Sequence, residues 1–152
     1  MRILVLSDSH GDYLSLKTAI SNHPTAEVIV FLGDGERDLD RLGNLLENKF
    51  VIRVKGNCDF ASLLPENHIQ TIEGKRIFAT HGYIENVKFG DDRLIYKGQS
   101  LDAHIILYGH THVPVSKYVD GVYVLNPGSI RDGNYGFVDI TEKGVMCVNA
   151  KI

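Results

Sequence analysis

Cys58 and Cys147 are the only cysteines in this 152-residue chain. One pair cannot make the framework of a disulfide-stapled fold, and a reducing compartment suits the chain. Basic charge is equally sparse. Sixteen Lys and Arg stand against nineteen Asp and Glu, a formal net charge of −3, and Lys75-Arg76 is the only adjacent basic pair. The basic stripe that grips a nucleic-acid backbone is therefore missing, which leaves nucleotides and small phosphate esters open. Long apolar runs are absent too: stretches such as Val28 to Leu32 fall far short of the roughly 20 residues of a membrane span. No n-region, h-region or cleavage site precedes the first strand at Arg2, so a cytoplasmic location is expected. Linkers, repeats and low-complexity segments are not found. With 43% hydrophobic residues, the expectation is one domain spanning residues 1–152.

What is present alternates. Ile3 to Leu6 reads as a strand buried on both faces. A helix capped by Gly11 or Asp12 follows to about Asn22, with Tyr13, Leu16 and Ile20 as its buried stripe. Val28 to Leu32 is a second strand. Glu36 to Glu47 is a second amphipathic helix on Leu39, Leu42 and Leu46, and Phe50 to Val54 a third strand. This order predicts right-handed crossovers and parallel pairing. Farther on, Glu73-Gly74-Lys75 separates two strands of a hairpin, and Asp91 to Leu101 reads as a helix that Gly98 weakens. Ile105 to Tyr108 is another buried strand. Val113–Tyr118 with Val122–Leu125, and Gly136–Ile140 with Val145–Val148, read as antiparallel pairs. The pattern predicts two packed sheets with helices on the outer faces.

Residues with metal-binding chemistry stand just after these strands. Asp8 and His10 follow the first, two residues apart on the same side of an extended segment. A carboxylate with an imidazole suits a borderline divalent cation, although a helix-capping turn explains Asp8-Ser9 equally well. Gly33-Asp34 follows the second strand; its carboxylate has two oxygens and can bridge two cations, but Gly-Asp is also ordinary turn chemistry. Gly56-Asn57 follows the third, where Asn57 offers a neutral oxygen or simply a left-handed turn. His81-Gly82 and Gly109-His110-Thr111-His112 follow two more strands. A solvated turn could hold any one of these residues. One dinuclear centre accounts for all seven.

In order and context, Asp8-x-His10, Gly33-Asp34, Gly56-Asn57, His81-Gly82 and Gly109-His110-Thr111-His112 resemble the calcineurin-like metallophosphoesterase superfamily. The resemblance spans the chain and is greatest to small bacterial and archaeal phosphodiesterases of the YfcE/MJ0936 type; Asn126-Pro127-Gly128-Ser129 adds to it. It implies an α/β fold, a four-layer αββα sandwich of two mixed β-sheets flanked by helices. It implies that Asp8, His10 and His112 hold one metal, that Asn57, His81 and His110 hold a second, and that Asp34 bridges them. Asp34, Asn57 and His81 are the catalytic residues so implied. Two divalent ions would be required, manganese first, with iron, zinc, nickel or cobalt also suited to these donors. The implied reaction is hydrolysis of a phosphate ester, foremost a phosphodiester, by in-line attack of a hydroxide shared by the two metals.

Two positions depart from the superfamily pattern. Many members carry His after the Asn, where this chain has Cys58, an uncharged and weaker proton donor. Relatives often have His two residues after the His81 position, where this chain has Tyr83. Asp59 is read as orienting Asn57 or Cys58. His23, His68 and His104 are left out of the site. The rival reading is a non-catalytic interaction scaffold of the retromer-subunit type, which shares the fold but alters the metal ligands. The expected partner is a small phosphate-ester substrate in an open cleft, without nucleic acid or membrane, in a possible homodimer or homotetramer.

Overall fold

A computed structural model describes all residues, Met1–Ile152. Strand β1 (Arg2–Leu6) lies at the centre of the first sheet, and its residues from Ile3 to Leu6 are fully buried. Helix α1 (Tyr13–Ser21) connects it to β2 (Val28–Phe31), and α2 (Glu36–Asp40) connects β2 to β3 (Phe50–Arg53). Both β1–β2 and β2–β3 pair in parallel, as the alternation predicts. The end of the chain completes this sheet. Strands β9 (Asn134–Thr141) and β10 (Gly144–Lys151) form a long hairpin, and β9 lies antiparallel to β1, giving the order β10-β9-β1-β2-β3.

The second sheet takes the middle of the chain. Strands β4 (Asn67–Ile72) and β5 (Lys75–Thr80) form the hairpin across Glu73 and Gly74. After helix α3 (Asp92–Ser100), β6 (Ile105–Leu107) pairs in parallel with β5 and with β8 (Val122–Asn126), while β7 (Val115–Val119) closes the edge, giving β4-β5-β6-β8-β7. Both sheets are therefore mixed.

The alternation of side chains along each strand builds the layers. Ile3 and Val5 of β1 join Val28, Val30 and Ile52 in packing against Ile77, Ile105 and Leu107 of the facing sheet. Leu4 and Leu6 point the other way, onto Leu16, Ala19 and Ile20 of α1 and Leu39 beside them. On the opposite outer face, Phe78, Ile106 and Val124 pack on Leu94 and Ile95 of α3. Gly98 is what lets α3 approach: a Cβ there would lie 2.3 Å from Ile106 Cδ1. The glycine that weakens the helix on propensity is required by packing.

Three expected boundaries shift. The helix predicted over Glu36–Glu47 ends at Asp40, and a separate 3₁₀ turn covers Gly43–Leu46. Gly43 has a φ of 46°, a left-handed conformation that ends the α-helical path. Its apolar stripe is still used, since Leu39 and Leu42 are buried. Strand β7 starts at Val115 rather than Val113, because Pro114 has no amide to donate to the ladder. The last hairpin is longer than predicted by several residues on both strands. No helix is long and apolar enough to cross a membrane.

Candidate metal centre

Because β1, β2 and β3 run parallel, their C-terminal ends share one edge of the first sheet, and β5 and β6 end together in the second. The loops after these strands carry all seven predicted ligands. Five of them hold the backbone in the left-handed region: Asp8 (φ 57°), His10 (44°), Asp34 (60°), His110 (69°) and His112 (62°). Such conformations are uncommon outside glycine and are kept where neighbouring structure enforces them. The enforcement is visible. The Asp8 amide donates to Gly33 O at 2.9 Å, and the His10 amide to Asp34 O at 3.0 Å. Ser129 Oγ donates to Asp8 O at 2.7 Å, and the His110 amide donates to Asp8 Oδ2 at 3.1 Å.

The side chains converge in two groups. In the first, Asp8 Oδ1 lies 3.2 Å from His112 Nε2 and 3.5 Å from His10 Nε2, and those two nitrogens are 3.2 Å apart. In the second, His81 Nε2 lies 2.9 Å from Asn57 Oδ1, 3.2 Å from His110 Nδ1 and 3.3 Å from Asp34 Oδ2. Asp34 Oδ2 also lies 3.7 Å from His10 Nε2, so one oxygen faces both groups. His23, His68 and His104 take no part: they meet Tyr135, Gln70 and the Arg76 amide.

These contacts fit cations better than they fit one another. Leu32 O can only accept, so His81 Nδ1, 2.6 Å away, carries the proton and donates it. The Nε2 lone pair of neutral His81 then faces an amide oxygen, a carboxylate oxygen and another imidazole nitrogen. Donors bound at about 2.1 Å to a shared ion stand roughly 3.0–3.4 Å apart at octahedral or tetrahedral angles, and four of these separations, at 3.2–3.3 Å, fall in that range. Asp8 and Asp34 are both buried, yet neither is paired with a lysine or arginine. Buried carboxylates without compensating charge are costly, and divalent ions would supply it.

Burial pushes the Asp34 carboxyl up, but the His81 imidazole, the Cys58 amide and His10 outweigh it and hold the group at about 2. Burial also pushes His81 down, and its hydrogen bond to Asp34, the charges of Asp8 and Asp34 and the Leu32 carbonyl together reverse this and raise it. Burial, then His81 and Lys88, lower His110. Burial and the nearby carboxylates of Asp34, Asp59 and Asp8 raise the Cys58 thiol.

The loops that carry the ligands are held by further side chains. Asp59, read as orienting Asn57 or Cys58, acts on their loop through the backbone and hydrogen-bonds to neither side chain. Its carboxylate accepts from the amides of Asp34 (2.8 Å), Gly35 (2.9 Å), Glu36 (3.0 Å) and Gly56 (2.8 Å), clamping the loop that carries Asp34 to the loop that carries Asn57. Asp38, buried on α2, accepts from Ser9 Oγ at 2.5 Å and from the Gly11 amide at 2.8 Å, which ties down the Asp8–His10 turn. Asn126 Nδ2 donates to Gly109 O and Thr111 Oγ1, each at 3.0 Å, bracing the loop of His110 and His112. Glu85 is buried against Thr80 and Lys97, fixing the chain after His81. Asp59 and the Asn126–Ser129 segment had a signal in the sequence; Asp38 and Glu85 had none. Gly109 must be small: a Cβ would fall 2.1 Å from Ser7 Oγ and 2.8 Å from Asp8 Oδ2.

The two departures lie at the open side. Cys58 is exposed, its sulfur within 4.8 Å of ligating atoms of His10 and Asp34, and its amide donates to Asp34 Oδ1 at 2.7 Å. Tyr83 is exposed and meets the His110 ring edge-on, with centroids 5.6 Å apart.

Two mixed sheets in four layers, with carboxylates and imidazoles gathered at adjoining strand ends, define a protein built to hold metal at one edge of its sheets. Residues 1–143 match the calcineurin-like phosphoesterase superfamily domain, and the chain belongs to that superfamily. The probable metallophosphoesterase YsnB of Bacillus subtilis is 36% identical over 131 residues, covering 86% of this chain and 76% of YsnB. Phosphodiesterase YfcE of Escherichia coli is 28% identical, covering 98% and 93% of the two chains. This chain is a hydrolytic phosphoesterase of a family that binds divalent metals. Its fold is shared beyond enzymes by name: the zinc complex of Vps29 from Entamoeba histolytica superposes with a TM-score of 0.74 at 22% identity, covering 99% of each chain.

Proposed function

We propose that this chain hydrolyses a small phosphodiester at a dinuclear divalent-metal centre. In this reading Asp8, His10 and His112 hold one ion, Asn57, His81 and His110 hold the other, and Asp34 serves both. The observation that carries the reading is the position of Asp34 Oδ2, 3.7 Å from His10 Nε2 and 3.3 Å from His81 Nε2. Two divalent ions supply Lewis acidity and a water activated near neutral pH for in-line displacement at phosphorus. The residues do the rest. The Leu32 carbonyl keeps the His81 lone pair aimed at the site, and the buried charges of Asp8 and Asp34 balance the cations. Asn57 contributes an oxygen without adding charge. Manganese is the activating ion proposed from the resemblance; iron, zinc, nickel and cobalt suit the same nitrogen and oxygen donors.

The likeness to Vps29 supports a second reading, an interaction scaffold. Metal binding alone does not separate the two, since that Vps29 holds zinc; what favours the enzyme is the 36% identity to a probable metallophosphoesterase against 22% to Vps29. Hydrolysis of bis-p-nitrophenyl phosphate separates the two. Turnover that requires a divalent metal and stops on chelation is expected. Absence of turnover with every divalent ion tested overturns the enzyme reading and favours the scaffold.

Cys58 makes a narrower prediction. A neutral thiol assists departure of a basic alkoxide less than an imidazolium does, and general acids contribute about 10²–10⁴-fold. Cys58→His is expected to raise the rate on a phenyl ester at least about tenfold while barely changing the rate on a nitrophenyl ester. Equal rates for the two proteins on the phenyl ester would reject this role for the position.

A further inference from the structure

Two clefts open beside the ligands, of about 320 and 350 Å³. They share Asp59 and Phe60 as a common wall, and each reaches a different part of the centre. The first touches His10, Asp34 and Cys58; the second touches Asn57 and His81. A phosphate monoester has one organic substituent and needs one such space. A diester has two, on different oxygens of the same phosphorus.

The clefts differ in character. Apart from the ligands, the first is lined mainly by polar groups, including Glu36, Arg37 and Asp38. The second presents Phe60, Tyr83 and Ile84, which are 82%, 59% and 52% exposed, together with the charged pair Lys55 and Glu66. Single exposed apolar side chains are normal on any surface. Tyr83 and Ile84 belong to this cleft alone and Phe60 faces both; together, next to two ligands of the centre, the three form a recognition surface for an apolar group. Two of the three are aromatic, and aromatic side chains favour stacked or edge-on contacts with another ring.

We infer that the substrate is an unsymmetrical phosphodiester, its aromatic arm bound against Phe60, Tyr83 and Ile84 and its polar arm lying along Glu36 and Arg37. This rests on the phosphodiesterase reading above and refines its substrate class. An aryl group or a nucleobase fits the apolar cleft; a hydroxylated chain or sugar fits the polar one. Phe60 separates the arms. Hydrolysis consumes one water: its oxygen bonds to phosphorus, one P–O ester bond breaks, and the departing oxygen takes a proton, giving a monoester and an alcohol.

The test is calorimetric titration of the manganese-loaded full chain with diphenyl phosphate and with dimethyl phosphate, whose basic leaving groups keep hydrolysis slow during the titration. Diphenyl phosphate is expected to bind at least about tenfold more tightly. Ile84→Ser is expected to weaken diphenyl phosphate about fivefold and leave dimethyl phosphate unchanged; Phe60→Ala, which alters both clefts, is expected to weaken diphenyl phosphate more than dimethyl phosphate, while Phe60→Tyr retains the preference. Both side chains are more than half exposed, so the fold tolerates the changes, and a thermal melt verifies it. Equal binding of the two ligands by the unaltered protein, or a phenyl preference that survives both variants, overturns the assignment. If bis-p-nitrophenyl phosphate is still hydrolysed in that case, only the cleft assignment falls. If no diester is bound or hydrolysed, the phosphodiesterase reading falls with it, and the apolar wall is then a protein-docking surface.

Discussion

Asp34→Asn is expected to lower kcat/KM for bis-p-nitrophenyl phosphate by at least about 10³-fold, an effect on the order of 4 kcal/mol, while the chain stays folded. The substitution is nearly isosteric. Its remaining oxygen can still accept the Cys58 amide, now 2.7 Å from Oδ1, so the loop keeps its anchor. What changes is the other atom. Oδ2, which faces His10 and His81, becomes an amide NH₂ with no lone pair for a cation and no charge to balance one. The circular dichroism spectrum should match that of the unaltered chain, and the rise in Tm on adding manganese should shrink, since a ligand stabilises only as far as it binds the folded state. A loss smaller than about tenfold would show that Asp34 is not shared between metals in the working enzyme.

The second large effect belongs to a residue that binds neither metal nor substrate in this account. Asp59→Ala leaves four backbone amides without their acceptor. Each unmet buried donor costs about 1–3 kcal/mol, but Asp59 is half-exposed and water can reach some of them, so a total near 3 kcal/mol is expected. For a chain of this size that corresponds to a Tm lower by roughly 10 °C. Freed from the clamp, Asp34 and Asn57 lose their fixed spacing, and metal affinity should fall by about 10–100-fold. Asp59→Asn, which keeps one acceptor oxygen, should fall between. Differential scanning calorimetry and a manganese titration measure both effects, and an unchanged Tm would contradict the clamp.

These two residues also mark where the sequence could be read. Asp34 was legible because it follows a buried aliphatic run and sits beside a glycine; Asn57, His81 and His110 share that signature, while Asp8 with His10, and His112 with His110, were marked by their two-residue spacing after a strand. Asp59 has no glycine beside it, and its action depends on amides at residues 34 to 36, which only the pairing of β2 with β3 brings close. Ser129 anchors Asp8 across 121 residues of chain, a contact with no local signature. The fold divides in the same way. Apolar periodicity located nearly every strand, and the parallel pairing of β1, β2 and β3 followed from alternation. The placing of β9 against β1 did not, because a strand pattern reports which faces are buried and not which strand lies alongside. The helix over Glu36–Glu47 was too long for a related reason: Leu39 and Leu42 mark a buried face truly, while Gly43 ends the α-helical path between them and Leu46.

The number of metal ions bound per chain is the decisive quantity. Elemental analysis of the chain loaded with manganese and then dialysed should give two ions per chain, and fewer than two for Asp34→Asn. One ion or none in the unaltered, fully loaded protein would contradict a dinuclear centre bridged by Asp34.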